Sequence, residues 1–206
     1  MMTSWESFQA GINKVLIKVD PVITEHDGFV ISDAFEPAYQ ASVTGTVVSP
    51  PLRLHYEKVS NDHHNYREIK LRSLPWDTRV SVERGDRVAF HYMMSHDPDV
   101  KYGEYILIDF EFLYFKNLEN PVMLNGYLLV DPINDYSGTV KHAGEINHDY
   151  WDYDRMDDVY IEEGTRVYYD LGAGAPIEKD FLQSLNVGSN KSYYKVQRKN
   201  IIGYDI

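Results

Sequence analysis

The hydrophobic residues of this chain recur mainly at every second position, in short segments that turn residues separate. Apolar side chains, many of them β-branched or aromatic, occupy alternate positions in residues 15–19, 88–92 and 106–112. Asp-Pro, Gly-Asp and Pro-Pro dipeptides stand between such segments. A period of two with this punctuation is typical of half-buried β-strands, and helical periodicity is scarce. The pattern therefore predicts an all-β fold.

Four of these blocks recur in the second half of the chain, in the same order. The recurring pairs are residues 16–22 with 127–133, 45–47 with 138–140, 82–88 with 161–167, and 107–108 with 195–196. Their offsets are 111, 93, 79 and about 88 positions. Because a conserved order of blocks is the signature of an internal repeat, the sequence predicts two homologous units.

The unequal offsets place the length differences between the units in loops. The first half carries 18 extra residues between its first two blocks and 14 between the next two, and the second half about 9 before its last. We predict an N-terminal extension over residues 1–11, a first unit over 12–118 and a second unit over 121–206. Short strands joined by turns favour two small β-barrels over βαβ units.

Composition and charge narrow the classes of function. The 206 residues are 43% hydrophobic, enough for a packed core, and 20 basic against 32 acidic residues give a net charge of −12. Such a charge disfavours binding to nucleic acid and to anionic membrane surfaces. The absence of cysteine excludes disulfides, thiolate metal sites and a cysteine nucleophile. Neither a signal peptide nor a membrane-spanning segment is recognisable, so we expect a cytoplasmic protein.

The repeated unit resembles the GroES-type co-chaperonin family. In the first half, the strands at residues 15–19 and 45–48, the Gly-Asp turn within 82–90 and the strand at 104–108 match the family's order of motifs. In the second half, residues 194–203 lie in register with the family's closing segment. The resemblance covers nearly the whole chain as two tandem units. It implies GroES-like barrels, a homo-oligomeric ring formed through edge strands, and neither a cofactor nor enzymatic activity.

The segment between the first two strands carries the functional content of this resemblance. In the family, this loop is flexible, and its apolar triplet docks on the rim of a chaperonin ring. Here Gly28, Phe29, Val30 and Ile31 fall where the family has Gly-Ile-Val-Leu. A loop that gains order on binding fits this role, and several copies on one ring would supply avidity. In the second unit, residues 132–138 predict only a turn.

Two alternatives to chaperonin docking stay open at the level of sequence. The apolar residues Phe29, Val30 and Ile31 could form an ordinary edge strand that packs on the first barrel. The missing loop of the second unit and the enlarged insertions also fit a non-enzymatic structural or assembly module that no longer binds a chaperonin.

Three other segments contain residues typical of ligand sites, but each fits a solvated loop better. The Asp-His-His sequence at 62–64 lacks the ligand spacing of zinc sites. The acidic segment 145–163 lacks the regular Asp spacing and the glycine of a calcium loop. Residues 171–176 are glycine-rich but lack the Lys-Ser/Thr of a phosphate loop. Since no catalytic motif is present, the sequence predicts a protein that is not an enzyme and has no metal site.

Overall fold

A computed structural model describes most of the chain, and the regular structure in the described residues is mainly β-strand. The described residues are 5–21, 25–26, 29–30, 42–54, 80–144, 161–171, 174–176 and 193–205. Within them the strands, in chain order, are β1 (Lys14–Val19), β2 (Glu25–His26), β3 (Phe29–Val30), β4 (Thr44–Ser49), β5 (Arg87–Phe90), β6 (Lys101–Tyr102), β7 (Tyr105–Asp109), β8 (Leu113–Lys116), β9 (Val122–Met123), β10 (Tyr127–Asn134), β11 (Ser137–His142), β12 (Arg166–Tyr169), β13 (Ala175–Pro176), β14 (Tyr194–Gln197) and β15 (Ile201–Tyr204).

Short 3₁₀-helical turns are the only helical elements of the described residues. They are Trp5–Ser7, Tyr92–Ser95, Phe110–Phe112 and Arg198–Asn200. The prediction of an all-β fold is therefore confirmed.

The strands form two antiparallel sheets with the same internal order. The first sheet runs β6-β7-β1-β4-β5-β8-β9, and the second runs β13-β14-β10-β11-β12-β15. Six strands of each sheet form a matching set: β1 and β4 to β8 in the first, and β10 to β15 in the second. Numbered in chain order within its set, each sheet has the strand order 4-5-1-2-3-6, and β9 is an addition to the first sheet. Neither sheet closes on itself within the described residues, so the predicted barrels are not seen in that part of the chain.

A tight turn before the third strand of each set is repeated down to its hydrogen bonds. Gly85 has a φ of 93° and Gly164 a φ of 88°, the left-handed region that glycine enters at little cost. The Gly85 N–H donates to Val47 O at 2.8 Å, and the Gly164 N–H donates to Val140 O at the same distance. The Gly-Asp and Gly-Thr blocks of the sequence thus form the same turn.

The register of the first strands corrects one of the sequence offsets. Val19 lies opposite Gly45 in the first sheet, and Pro132 lies opposite Gly138 in the second. Val19 is therefore equivalent to Pro132, an offset of 113 positions rather than 111. The earlier alignment was wrong because it matched two Asp-Pro dipeptides. A slip of two residues keeps every side chain on the same face of a strand, so the hydrophobic pattern could not reveal it.

Buried hydrophobic residues form three clusters, one in each unit and one between the two units. The first core draws on strands β1, β4, β5, β7 and β8, and the core of the second unit draws on β10, β11, β12 and β14. The third, the junction cluster, consists of Val43, Ala89, Tyr114, Phe115, Met123, Leu129 and Tyr193. Because its members come from both sheets, the two units share a packed interface.

The segment that connects the two units, residues 122–125, makes backbone and side-chain contacts with both of them. Strand β9 lies beyond the predicted junction at 118–121, yet it pairs with β8 of the first sheet. Met123 also forms a parallel bridge with Gly144 of the second unit, where a Cβ on Gly144 would lie 1.9 Å from Met123 O. Asn125 is only 2% exposed, and its Nδ2 donates to Phe110 O and Leu113 O, each at 2.8 Å.

Removing the Asn125 amide should weaken this connection. Asn125→Ala removes the side-chain donor from both carbonyls, although Phe110 O still accepts from the Leu113 N–H, and it should cost about 2 kcal/mol of unfolding free energy. Asn117→Ala is the matched control, because Asn117 shares the positive φ (67° against 52°) but has an exposed side chain. The control should lose only about 1 kcal/mol. Equal losses in urea unfolding would show that the Asn125 hydrogen bonds contribute nothing.

Tyr127 makes the stability of the junction sensitive to alkaline pH. Burial raises the pKa of its hydroxyl above 10.0, a hydrogen bond with Gln197 opposes this, and the Glu111 carboxylate reinforces it. The unfolded chain loses this proton first, so the stabilisation is complete below pH 10.0 and is lost as the pH rises through the raised pKa. In urea titrations above that pH, Tyr127→Phe should lose stability less steeply than the wild type.

Candidate functional site

The candidate loop leaves the first sheet at the end of β1 and returns at the start of β4. These two strands are antiparallel neighbours, so the two ends of the loop lie side by side. The Asp20 N–H donates to Thr44 O at 3.0 Å and fixes the exit of the chain beside its return. The loop therefore begins and ends at a stem, formed by residues 19–20 and 44–45 at the facing ends of β1 and β4 in the first sheet.

A carboxylate at the base of the loop joins three strands. Arg87 of β5 donates from Nη1 to Asp20 Oδ1 at 2.7 Å, and Nη2 engages the second carboxylate oxygen. The Thr44 hydroxyl also donates to Asp20, at 2.6 Å. Because Arg87 is 43% exposed, the ion pair contributes at most about 1 kcal/mol of stability. Its two-point geometry instead fixes the position of the stem.

Sequence analysis did not find this Asp20–Arg87 pair. The two residues lie 67 positions apart, and only the folded register of β1, β4 and β5 brings them together. The positions of the two charges along the chain gave no such signal. Strands β1 and β5 both run antiparallel to β4, so the end of one and the start of the other are expected toward opposite ends of the sheet. The offset of the short strand β5, with Arg87 opposite Thr46, brings the two side chains together.

A small cleft of about 200 Å³ lies beside the stem. Ligand pockets usually measure about 300–1,000 Å³ and are mainly apolar. The cleft is smaller than that, and its rim carries both acidic and basic side chains. Its size and charge therefore indicate no particular class of small-molecule ligand. Its lining residues are Val19, Asp20, Pro21, Ser42, Ser95, His96, Lys101, Gly103 and Glu104.

Part of the candidate docking segment forms a separate two-stranded hairpin. Glu25 lies opposite Val30 and His26 lies opposite Phe29. The residues between the paired positions are Asp27 and Gly28, a dipeptide that favours two-residue hairpin turns. Within the described residues, this hairpin pairs with neither large sheet.

The hairpin bears on one of the two sequence interpretations of this segment, the edge strand. Phe29 and Val30 are not an edge strand of the first sheet, because their backbone pairs only with β2 in the described part of the chain. Gly28 and Ile31 lie outside the described residues. The docking role of Gly28, Phe29, Val30 and Ile31 therefore stays a prediction.

The second unit has a short turn at the corresponding place. Asn134 lies opposite Ser137, and the Tyr136 N–H donates to Asn134 Oδ1 at 3.1 Å. An asparagine side chain that accepts from the backbone two residues on is a common way to close such a turn. The chain thus carries a loop between the first two strands in only one of its two units.

The other segments singled out from the sequence lie largely outside the described residues. These include the Asp-His-His sequence at 62–64 and most of the acidic segment 145–163. Within the described residues, no group of three or more His, Asp or Glu side chains is placed to hold a metal ion. None of the helical turns in that part of the chain is long and apolar enough to cross a membrane.

Comparison of the chain with protein-family models and with curated protein sequences found no match. The repeat, the stem and the hairpin are therefore the features of this chain that bear on its function.

Gly45 is the residue at the stem that tolerates substitution least. A Cβ there would lie 2.5 Å from both Ile17 Cγ2 and Lys18 O, so β1 and β4 would have to separate. Gly45→Ala should cost about 2–3 kcal/mol of unfolding free energy. Gly11→Ala, where a Cβ meets nothing within 4 Å, should stay within about 0.5 kcal/mol of the wild type. A stable Gly45→Ala protein in thermal unfolding would contradict this account of the stem.

Proposed function

We propose that this protein is a co-chaperonin-like protein that binds a chaperonin ring through the segment Gly28–Ile31 and assists protein folding. In this proposal each sheet, with its loops, is a GroES-like unit, and several chains assemble into a homo-oligomer. The supporting observation is the separate hairpin of β2 and β3, which stands on a fixed stem and pairs with neither sheet in the described residues. The identical strand order of the two units supports a tandem arrangement.

The stem and the hairpin suit a docking element for a physical reason. The stem is tied down by the Asp20–Arg87 pair and by the close approach at Gly45. In this proposal the stem is already positioned before binding, which limits the entropy lost per contact. Gly28 to Ile31 offers three apolar side chains in sequence. Burying each would contribute about 1.5–3 kcal/mol before the cost of ordering.

Because the two units of a chain share a single loop of this kind, strong binding to a ring depends on avidity between several chains. Each chain offers one segment of this kind, because the second unit turns directly from β10 to β11 at residues 134–137. A weak contact of one loop becomes strong only when several loops bind the same ring together. The proposed function therefore requires several chains in one assembly. In the family that the chain resembles, the chaperonin hydrolyses the nucleotide, so the proposed function requires no nucleotide site on this chain.

The alternative is a structural or assembly module that does not bind a chaperonin. The short turn at residues 134–137 favours it, since half of the docking elements expected from two units are missing. In that case, the paired units and their shared junction cluster would themselves be the functional product, and the hairpin would have no partner on a chaperonin.

Co-migration with a chaperonin ring in the presence of ATP separates these two functions. The wild type should co-elute with the ring on a sizing column. Phe29→Ser and Val30→Ser should each weaken this binding about 10-fold or more, because each removes an apolar contact. Far-ultraviolet circular dichroism of each variant tests whether the sheets remain intact.

Ile133→Ser provides the matched control for the loop variants. Ile133 is 56% exposed beside the short turn that replaces the loop in the second unit, so this change removes an apolar side chain from the corresponding place. It should bind the ring as the wild type does. The proposal fails if the wild type forms no complex with the ring. It also fails if the loop variants bind as well as Ile133→Ser.

A further inference from the structure

The turn between β9 and β10 contains an Asn-Gly dipeptide, and no other asparagine of the chain precedes a glycine. Asn125 and Gly126 have φ values of 52° and 68°, and the Tyr127 N–H donates to Leu124 O at 3.0 Å. Positive φ at both central residues is typical of a type I′ turn, for which asparagine followed by glycine is a preferred pair. The dipeptide therefore has a structural role in connecting the two units.

An Asn-Gly dipeptide is also a site of spontaneous chemistry. Because glycine has no side chain to hinder it, its backbone nitrogen can attack the amide carbon of the preceding asparagine. A bond forms between Gly126 N and Asn125 Cγ, the bond from Cγ to Nδ2 breaks, and Nδ2 leaves as ammonia with the proton of the Gly126 N–H. Water then opens the cyclic imide to aspartate or to isoaspartate, in which the chain continues through the side-chain carbonyl.

The fold protects the Asn125 side chain from this reaction. Nδ2, the nitrogen that has to leave, donates to Phe110 O and Leu113 O, each at 2.8 Å, and the residue is only 2% exposed. Asn125 Oδ1 is buried and accepts no hydrogen bond from the described residues. No donor in that part of the chain therefore stabilises the negative charge that this oxygen gains during the attack.

The backbone of the turn is held by both units. The Leu124 N–H donates to Tyr114 O of the first unit at 2.8 Å, and the Arg198 N–H of the second unit donates to Gly126 O at 2.9 Å. The ring of Tyr127, the next residue, lies edge-on to the ring of Tyr114, with 5.5 Å between their centres. The turn therefore gains the freedom to react when the two units move apart.

We propose that Asn125 is a deamidation site whose reaction is controlled by the contact between the two units. While the junction cluster is closed, the amide is protected. When the junction opens, Gly126 N attacks the amide, and aspartate or isoaspartate replaces the asparagine. This inference goes beyond the proposed function and depends neither on chaperonin binding nor on the number of chains in an assembly.

The product of the reaction does not fit the closed junction. A carboxylate at position 125 would face Phe110 O and Leu113 O, two acceptors with which it cannot form hydrogen bonds, and burying it there is costly. Isoaspartate also adds an atom to the backbone of a tight turn. The junction therefore does not close again as before, and the site records chemically that the two units have separated.

Peptide mass spectrometry of the protein, incubated at mildly alkaline pH, measures this reaction at each asparagine. In denaturing urea, Asn125 should be converted before the other asparagines, because it alone precedes glycine. In the native protein, conversion at Asn125 should be slower by about 10-fold or more, because the turn reacts from an opened state. Equal rates at Asn125 with and without urea, or no conversion there in urea, would overturn the proposal.

Leu129→Val and Leu128→Val distinguish opening of the junction from unfolding of the whole chain. The two leucines are neighbours on β10 and are 2% and 0% exposed, but Leu129 belongs to the junction cluster and Leu128 to the core of the second unit. Each change removes one methylene, so the two should cost similar stability. Leu129→Val should raise the native rate at Asn125 about 3-fold or more, and Leu128→Val should leave it unchanged. The proposal is wrong if both variants raise the rate equally, or if neither does.

Asn125→Asp tests the consequence of the reaction separately. At neutral pH its midpoint in urea unfolding should lie below that of Asn125→Ala, because a buried carboxylate is added to the loss of the amide donor. At acid pH the protonated carboxyl can donate to one of the two carbonyls, so this difference should shrink. A midpoint for Asn125→Asp equal to or above that of Asn125→Ala at neutral pH contradicts the claim that the product cannot be accommodated. All three measurements use the protein alone, so their failure leaves the chaperonin proposal to its own test.

Discussion

Covering the outer face of a β-sheet is the constraint on which the rest of this structure depends. Each unit buries its inner face in its own core, and Tyr114 and Phe115 on β8 are buried in the junction cluster, to which the second unit contributes Leu129 and Tyr193. Burying a large apolar side chain contributes about 1.5–3 kcal/mol, so this contact supplies a substantial part of the marginal stability of such a chain. Strand β9 and Asn125 then fix the two units at one separation.

The duplication gives the two units the same framework but different ends. The first unit carries the long loop on the stem at Asp20, and its outer face is covered. The second unit closes the corresponding place with a turn at residues 134–137, and its residues Tyr136, Leu171 and Ile202 are exposed. The two units therefore share a strand order but differ at this loop and at these positions.

Much of the fold, but less of the site, could be predicted from the sequence. The period of two identified the strands, and the recurring blocks placed most equivalent positions, but the block at β1 was misplaced by two residues because that slip preserves the faces. The loop was located correctly between β1 and β4. The Asp20–Arg87 pair was missed because it depends on strand register.

Hydrogen exchange of the protein with and without a chaperonin ring and ATP tests the central claim most directly. The account predicts that peptides covering residues 24–33 become protected when the ring is added, because the docking segment gains order there. Peptides covering the short turn at residues 134–137 should exchange equally in both samples. Unchanged exchange over residues 24–33, in a sample where the complex has formed, would contradict the account, and so would protection confined to another surface.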